Sequence, residues 1–240
     1  MIFVGIDDTD MPGESGTGRL ARKIAHRLSE HFSVLGVTRH QLLRDPRIPC
    51  TRKNSSKAIH ITGEAELDRI FETAYNVVVE DSVEGSDPGI AVSNKKSDEL
   101  VEFARKTQKS IVTMEEAFRV ASKNGVRLEG VAGTRLGVVG ALAAVGLAQS
   151  GNDGWFIELG GRDQNDRRSL RRLPRHLTVR ELKDIGVSRV VSTEGYLLGN
   201  SEVIDSEGRV RPFMKAGEPL VVVKKVENGW RIIDPKSLIG

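Results

Sequence analysis

The 240-residue sequence predicts an α+β (α/β-like) protein with a small β-rich carboxyl-terminal segment, and three observations predict it. Segments patterned as strands alternate with segments patterned as helices through about residue 160. The chain opens on a continuous apolar run, Ile2-Phe3-Val4-Gly5-Ile6, that stops at acids, as a buried strand ending at a site does. After Gly161 the pattern gives way to an arginine-rich stretch followed by short strand-like segments separated by turn signals.

Taken in order, the first strand leads through a loop into an amphipathic helix. Leu20, Ile24, Leu28 and Phe32 recur every four residues, with Arg22, Lys23 and Arg27 elsewhere on the wheel and Ser15 or Thr17 as its expected cap. A strand is expected over 34–39, then an irregular polar loop over 45–56 that Pro46 and Pro49 keep extended. Loops of that length usually carry function. Next come a strand over 57–62, a helix over 65–77, a strand over 89–93, and helices over 97–107 and 114–123. The glycine-rich 130–140 leads into a small-residue helix ending near Gln149, and 155–159 reads as a strand. Short strands are expected around 195–198, 203–205, 220–226 and 230–233, with Ser206-Glu207-Gly208 and Asn228-Gly229 as turns.

Composition narrows the class. A chain of this length can bury its own core without staples. The one cysteine, Cys50, cannot form an internal bridge or a zinc site by itself, which points to a reducing compartment. Residues 1–6 are too short for a signal-peptide core and carry no basic leader, so a cytoplasmic location is expected. The longest uncharged run, 136–152, contains four glycines and falls short of the roughly 20 apolar residues a bilayer span needs, so no membrane partner is expected. The net charge of +3 is mild but uneven: seven arginines (162, 167, 168, 171, 172, 175 and 180) stand against two acids between Arg162 and Arg180. That cluster lacks interleaved aromatics, so an RNA contact there would be electrostatic.

The chemical signal is strongest at Asp7-Asp8-Thr9-Asp10. Like charges this close raise each other's pKa unless a cation neutralises them. Magnesium, which takes oxygen ligands and keeps waters and substrate phosphates beside one or two carboxylates, suits Asp7, Asp8 and Asp10. The competing reading is an Asx-turn or a cap. Just downstream, Gly16-Thr17-Gly18 opens the first helix, so its free N–H groups and positive dipole end face the acids and favour an anion. Carboxylates that hold a metal, beside a glycine-rich helix start, are the parts phosphoryl transfer requires. The 130–140 segment is neither a Walker loop nor a dinucleotide fingerprint. Gly137, Gly140, Ala141, Ala144 and Ala148 share helical spacing and suit a helix packed closely on a sheet, whereas Thr134 and Arg135 could reach a phosphate. Arg44, Arg47, Arg52 and Lys53 in the proline loop could bind phosphate or nucleic acid, or could simply be solvated. The five histidines show no metal-ligand spacing.

Several of these segments, in chain order, resemble the archaeal tRNA(Ile) agmatidine synthetase family, which attaches agmatine to a wobble cytidine using ATP. Gly5-Ile6-Asp7-Asp8-Thr9-Asp10 looks like the family's GIDDTD signature, and Gly16-Thr17-Gly18 falls where the family has Cys-Thr-Thr. Arg44-Asp45-Pro46-Arg47-Ile48-Pro49 with Thr51-Arg52 is similar to its proline stretch, Asp87-Pro88-Gly89 to its N-P-G, and residues 137–146 to its G-L-I-G-A-L-A-A-I-G. The resemblance implies a kinase-like ATP and Mg²⁺ core over 1–56 and 125–162 and a ferredoxin-like subdomain over 57–124; beyond it, the residue pattern gives an arginine-rich connector with a β-rich tail over 163–240. It also implies a role for Thr17 in phosphate chemistry. The family's OB-fold and cysteine-rich zinc ribbon find no counterpart, since one cysteine cannot build a ribbon.

The expectation is therefore an ATP- and Mg²⁺-dependent phosphotransferase or ligase-type enzyme. Its catalytic residues would be Asp7, Asp8 and Thr17, and its metal ligands Asp7, Asp8 and Asp10. Gly16, Gly18, Arg52, Thr134, Arg135 and Gly137 would contact the nucleotide, and an RNA (tRNA) or a small molecule would be the acceptor. Two rivals stand beside it: a genuine tRNA cytidine-modifying enzyme, and a non-catalytic nucleotide- or RNA-binding module.

Overall fold

The amino-terminal run pairs on both sides, and a central sheet grows around it. The computed structural model describes residues 1–14, 16–48, 50, 53–160, 170–227 and 229–234, and the chain divides into two compact units, Met1–Ser150 and Gly151–Gly240. In the first unit, β1 (Ile2–Asp7) lies between β3 (Ser55–Thr62) and β4 (Gly89–Ser93). Outside them run β2 (Ser33–Gln41), against β3, and β5 (Arg127–Gly130), against β4. All four pairings are antiparallel, giving the order β5-β4-β1-β3-β2. Strands 2–7, 33–41 and 127–130 thus interleave with strands 55–62 and 89–93 in one sheet.

Side-chain alternation sorts this sheet's two faces. Helix α5 (Gly137–Gln149) packs against one face, with α3 (Asp98–Lys106) and α4 (Met114–Lys123) in the same apolar cluster as Phe3, Ala58 and Ala91. Helix α1 (Thr17–Ser29) and helix α2 (Leu67–Asp81) pack against each other, and α1 rests on β2 and β3. The amphipathic stripe expected for α1 is realised, with Leu20, Ile24 and Leu28 at 6% exposure or less. Phe32 lies past the helix end. By contrast α5 is apolar all round, and eleven of its thirteen residues are buried, which is how a helix with no polar face must sit.

That helix lies unusually close to the sheet because glycines remove the side chains between them. A Cβ on Gly5 would collide with the carbonyl of Ala141, and one on Gly89 with the backbone of Gly137. The packing reading of the small-residue helix therefore holds at these positions.

The second unit is built on β11 (Glu218–Val226). It pairs antiparallel with β10 (Phe213–Lys215) and β12 (Gly229–Ile233), and parallel with β8 (Arg189–Ser192). β6 (Trp155–Leu159), β9 (Val203–Asp205) and β7 (His176–Thr178) complete the order β6-β10-β11-β12-β9-β7. A short helix, α6 (Val179–Asp184), follows β7 and starts at a capping box in which Thr178 and Glu181 satisfy each other's backbone N–H groups. Phe156, Leu182, Val190, Ile204, Met214, Val221 and Val223 belong to this unit's own core. The strand expected around 195–198 is instead a turn with one isolated bridge, Val191 to Leu197. Gly195 there has φ +90°, which a strand cannot accommodate.

Candidate active site

The acidic loop leaves β1 at a place where three other segments end or begin. Asp7 is the last residue of β1 and shares a face with Phe3 and Gly5, so its carboxylate meets α5 directly over Gly140. Any side chain at Gly140 would occupy the place of that carboxylate. Asp8 takes a left-handed conformation, φ +53°, which aspartate tolerates better than most residues and which turns the chain sharply. Thr9 is buried, and its carbonyl accepts from the Val83 N–H at 3.2 Å, tying the loop to the end of α2.

Asp10 then reaches the start of α1. Its Oδ1 accepts a hydrogen bond from Thr17 Oγ1 at 2.8 Å, and Thr17 is only 4% exposed. The expected cap differs in detail: the N-cap is Gly16, which has no side chain to offer, and Thr17 is the first helical residue, its hydroxyl spent on Asp10. The first N–H groups of α1 therefore have no side-chain cap, and they open beside Asp10. Ser15, the other cap candidate, lies outside the described residues.

Burial and mutual repulsion set the electrostatics. Desolvation pushes the Asp7 carboxyl up to about 6, against the pull of nearby Lys57. Asp8 is likewise raised to about 6, first by burial, then by the charges of Asp7, Asp87 and Asp10. Lys57, on β3 opposite Ile6, is held down to about 8 by burial, with Asp7 and Asp10 opposing that shift. Its Nζ donates to the Ser55 carbonyl.

Two members of this cluster were not legible as site residues. Lys57 follows the strand period with Ile59 and Ile61, so a lysine on an otherwise buried stripe was the available signal. Asp87 precedes Pro88 just before β4, and its place in the Asp87-Pro88-Gly89 segment that resembles the family's N-P-G was a signal to which no site role was attached. Asp87 also organises the glycine-rich loop: its side chain accepts the Thr134 N–H, its carbonyl accepts the Gly137 N–H at 3.0 Å, and Val131 donates to Pro88 at 2.8 Å.

The remaining expected residues fall as follows. Gly16 lies beside Asp10, and Gly18 is in the first turn of α1. Thr134 and Gly137 spend their N–H groups on Asp87, and exposed Arg135, at φ +67°, lays its side chain along Gly130. In the proline loop exposed Arg47 pairs with half-buried Asp45 at 2.8 Å, holding that carboxyl down to about 2. Arg52, Thr51 and Pro49 lie outside the described residues, as do Arg162, Arg167 and Arg168. Cys50 is exposed and unbridged. Among the described residues no helix is long and apolar enough to cross a membrane, and no three His, Cys, Asp or Glu side chains are gathered to hold a metal by themselves.

The whole is an α+β protein in which carboxylates collect at the mouth of a central strand. No protein-family model matches the chain, and no curated protein sequence matches it. Solved structures do. A tRNA fluorescent labeling enzyme and the TiaS–tRNA(Ile2)–ATP complex each match at 27% identity and TM-score 0.54 over 60% of this chain. A TiaS–tRNA(Ile2)–AMPCPP–agmatine complex matches at 25% identity and TM-score 0.52. TiaS is the tRNA(Ile2) agmatidine synthetase. The fold is thus like that of this synthetase, and the match spans about a third of the length of those chains, 35–36%.

Proposed function

We propose that this chain is an ATP- and Mg²⁺-dependent phosphotransferase or ligase-type enzyme, with tRNA as the acceptor that the likeness in fold favours. The observation that carries the reading is the pair Asp7 and Asp8, both raised to about 6 by burial and by neighbouring acids, beside the uncapped start of α1. Carboxylates held this close gain most from a hard divalent cation, and an all-oxygen donor set fits magnesium. Asp7 and Asp8 would hold it, with Asp10 completing the set. Among the described residues no three acids are already gathered as a ligand set, so Asp10 would have to move in on binding, and nucleotide phosphates and waters would supply the remaining positions. When bound, the ion neutralises phosphate charge.

The chain's own residues would do the rest. The first turn of α1 at Gly16, Thr17 and Gly18 receives phosphate oxygens on its N–H groups. Lys57 stays partly positive next to Asp7 and keeps the acids close in the absence of ligand. Thr17 Oγ1, which donates to Asp10 Oδ1, would bind phosphate or attack the γ-phosphorus of ATP, the β–γ bridging P–O bond breaking with ADP as the leaving group and Asp10 taking the hydroxyl proton.

Calorimetry with ATP and Mg²⁺ is the direct test. Wild type should bind, and Asp8→Asn should lose at least tenfold in affinity; a wild type that binds neither ATP nor ADP sinks the proposal. A second reading, agmatine transfer to tRNA, is favoured by the likeness to the TiaS–tRNA(Ile2)–AMPCPP–agmatine complex. Labelled agmatine incorporated into tRNA would support it, and ATP turnover with another acceptor would exclude it.

A further inference from the structure

Residues that face each other across antiparallel strands share one face of a sheet, so register fixes what lies beside Asp7. Gly5 stands opposite Ala58 and Ile6 opposite Lys57. The next step of the same register sets Asp7 abreast of Ser56, and Ser56 in turn pairs with His40 on β2. This is the face that α5 covers, where Phe3, Ala58 and Ala91 enter the apolar core. Ala58, two residues along, shows what burial there ordinarily takes; Ser56 adds a hydroxyl.

That hydroxyl has nothing to bond. Ser56 is 0% exposed, and among the described residues its Oγ has no hydrogen-bond partner. His40, its neighbour on β2, directs Nε2 to Thr38 Oγ1 at 2.7 Å. The neighbour on the other side is short of bonds in the complementary sense: the desolvated Asp7 carboxylate accepts the Asp8 N–H and lies over Gly140. A buried hydroxyl without a partner costs stability, and a carboxylate has room for several donors. Cross-strand neighbours have Cβ atoms about 5 Å apart, so rotation of the two side chains alone can join them.

We propose that Ser56 is a positioning residue for the cation site: when the divalent ion binds, the Ser56 hydroxyl donates to the Asp7 carboxylate and holds it toward the ion. A carboxylate that gives one oxygen to a metal keeps lone pairs on the other, and a fixed donor there sets its orientation. In the structure Asp7 rests on α5 and the hydroxyl stands unused, one side-chain rotation from that bond. The inference rests on the ATP and Mg²⁺ reading above, and its test separates the two.

The experiment is calorimetry of ATP binding to the full chain with Mg²⁺ and, separately, in EDTA; the ratio of the two affinities isolates the contribution of the ion. Ser56→Ala should cut that ratio roughly 10- to 100-fold, the range typical of partners that orient a metal ligand, and leave the affinity in EDTA unchanged. Ser56→Thr, which keeps the hydroxyl, should retain most of the ratio. The thermal midpoint of Ser56→Ala without ATP or Mg²⁺ should equal or exceed that of wild type, because the variant removes an unpaired group. Equal loss of affinity with Mg²⁺ and in EDTA would mark a structural role and overturn the proposal. So would a midpoint lowered by more than about 4 °C, the sign of a hydroxyl already bonded in the apo protein. Wild-type binding that depends on Mg²⁺ and is untouched by Ser56→Ala overturns this inference alone, whereas wild-type binding equal in both conditions overturns the metal reading as well.

Discussion

Asp7 illustrates a conflict between stability and chemistry within one side chain. Its ordinary pKa is 3.8 and its folded value about 6, so the folded protein binds the proton more tightly than the unfolded chain does. With a raised carboxylate pKa, stability is greatest at low pH and falls as pH climbs from about 4 to about 6, the reverse of a salt-bridged acid. Above pH 6 the buried charge is a standing cost. Asp7→Asn keeps the shape over Gly140 and removes that charge. The variant should therefore be more stable than wild type without ligand, by about 1–2 kcal/mol at pH 7.5, while losing ATP and Mg²⁺ binding. Urea unfolding at pH 7.5 and 4 checks it: the gain should shrink at the lower pH, and equal gains at both values would mean the charge is not the cause. Gly140→Ala attacks the same contact from the other side, since the new methyl would take the space of the Asp7 carboxylate. Overpacking of this kind costs about 1–3 kcal/mol, and nucleotide binding should fall with it.

At the level of the element, β2 and β3 hold a buried polar chain that the sheet cannot leave unpaired. Thr38 Oγ1 lies 2.7 Å from both His40 Nε2 and His60 Nε2, and all three residues are at most 2% exposed. Burial drives His60 down to about 3, so it stays neutral in the fold but protonates in the unfolded chain below about 6.5. A base whose folded pKa is depressed contributes stability that is complete above pH 6.5 and is lost as pH falls toward 3, with a slope of about 1.4 kcal/mol per pH unit. His60→Gln should flatten the acid side of the stability curve by one proton relative to wild type; identical slopes would contradict the assignment. These elements also show what a sequence can and cannot convey. Helix α1 was legible because its apolar period is long, and β1 because an apolar run ends abruptly in acids. β7, β8 and β10, at three or four residues each, are too short to show a period, and 195–198 was misread because a turn with two exposed apolar residues, Tyr196 and Leu197, imitates a strand. Asp7, Asp8, Asp10 and Thr17 are contiguous enough to be read together. Lys57 joins them only through sheet pairing, which no local pattern encodes, and Asp87 stands in a motif whose resemblance carried no role for the residue.

Across the whole molecule, charge and core divide in the same place. The first unit is electrically balanced, has its own sheet covered by helices, and holds all the carboxylates of the candidate site. The second carries the excess positive charge around a separate core. A domain of 150 residues buries enough of its surface, roughly 70%, to fold alone. The small-residue helix α5 closes that unit, because Gly5 and Gly89 bring it against β1 and β4 without help from later residues. Residues 1–150 produced separately should therefore unfold in a single cooperative transition and bind ATP and Mg²⁺ within about threefold of the full chain, a difference of well under 1 kcal/mol. Thermal unfolding and calorimetry on one preparation decide the matter. A fragment that folds but binds no nucleotide would overturn the placing of the ATP site within residues 1–150.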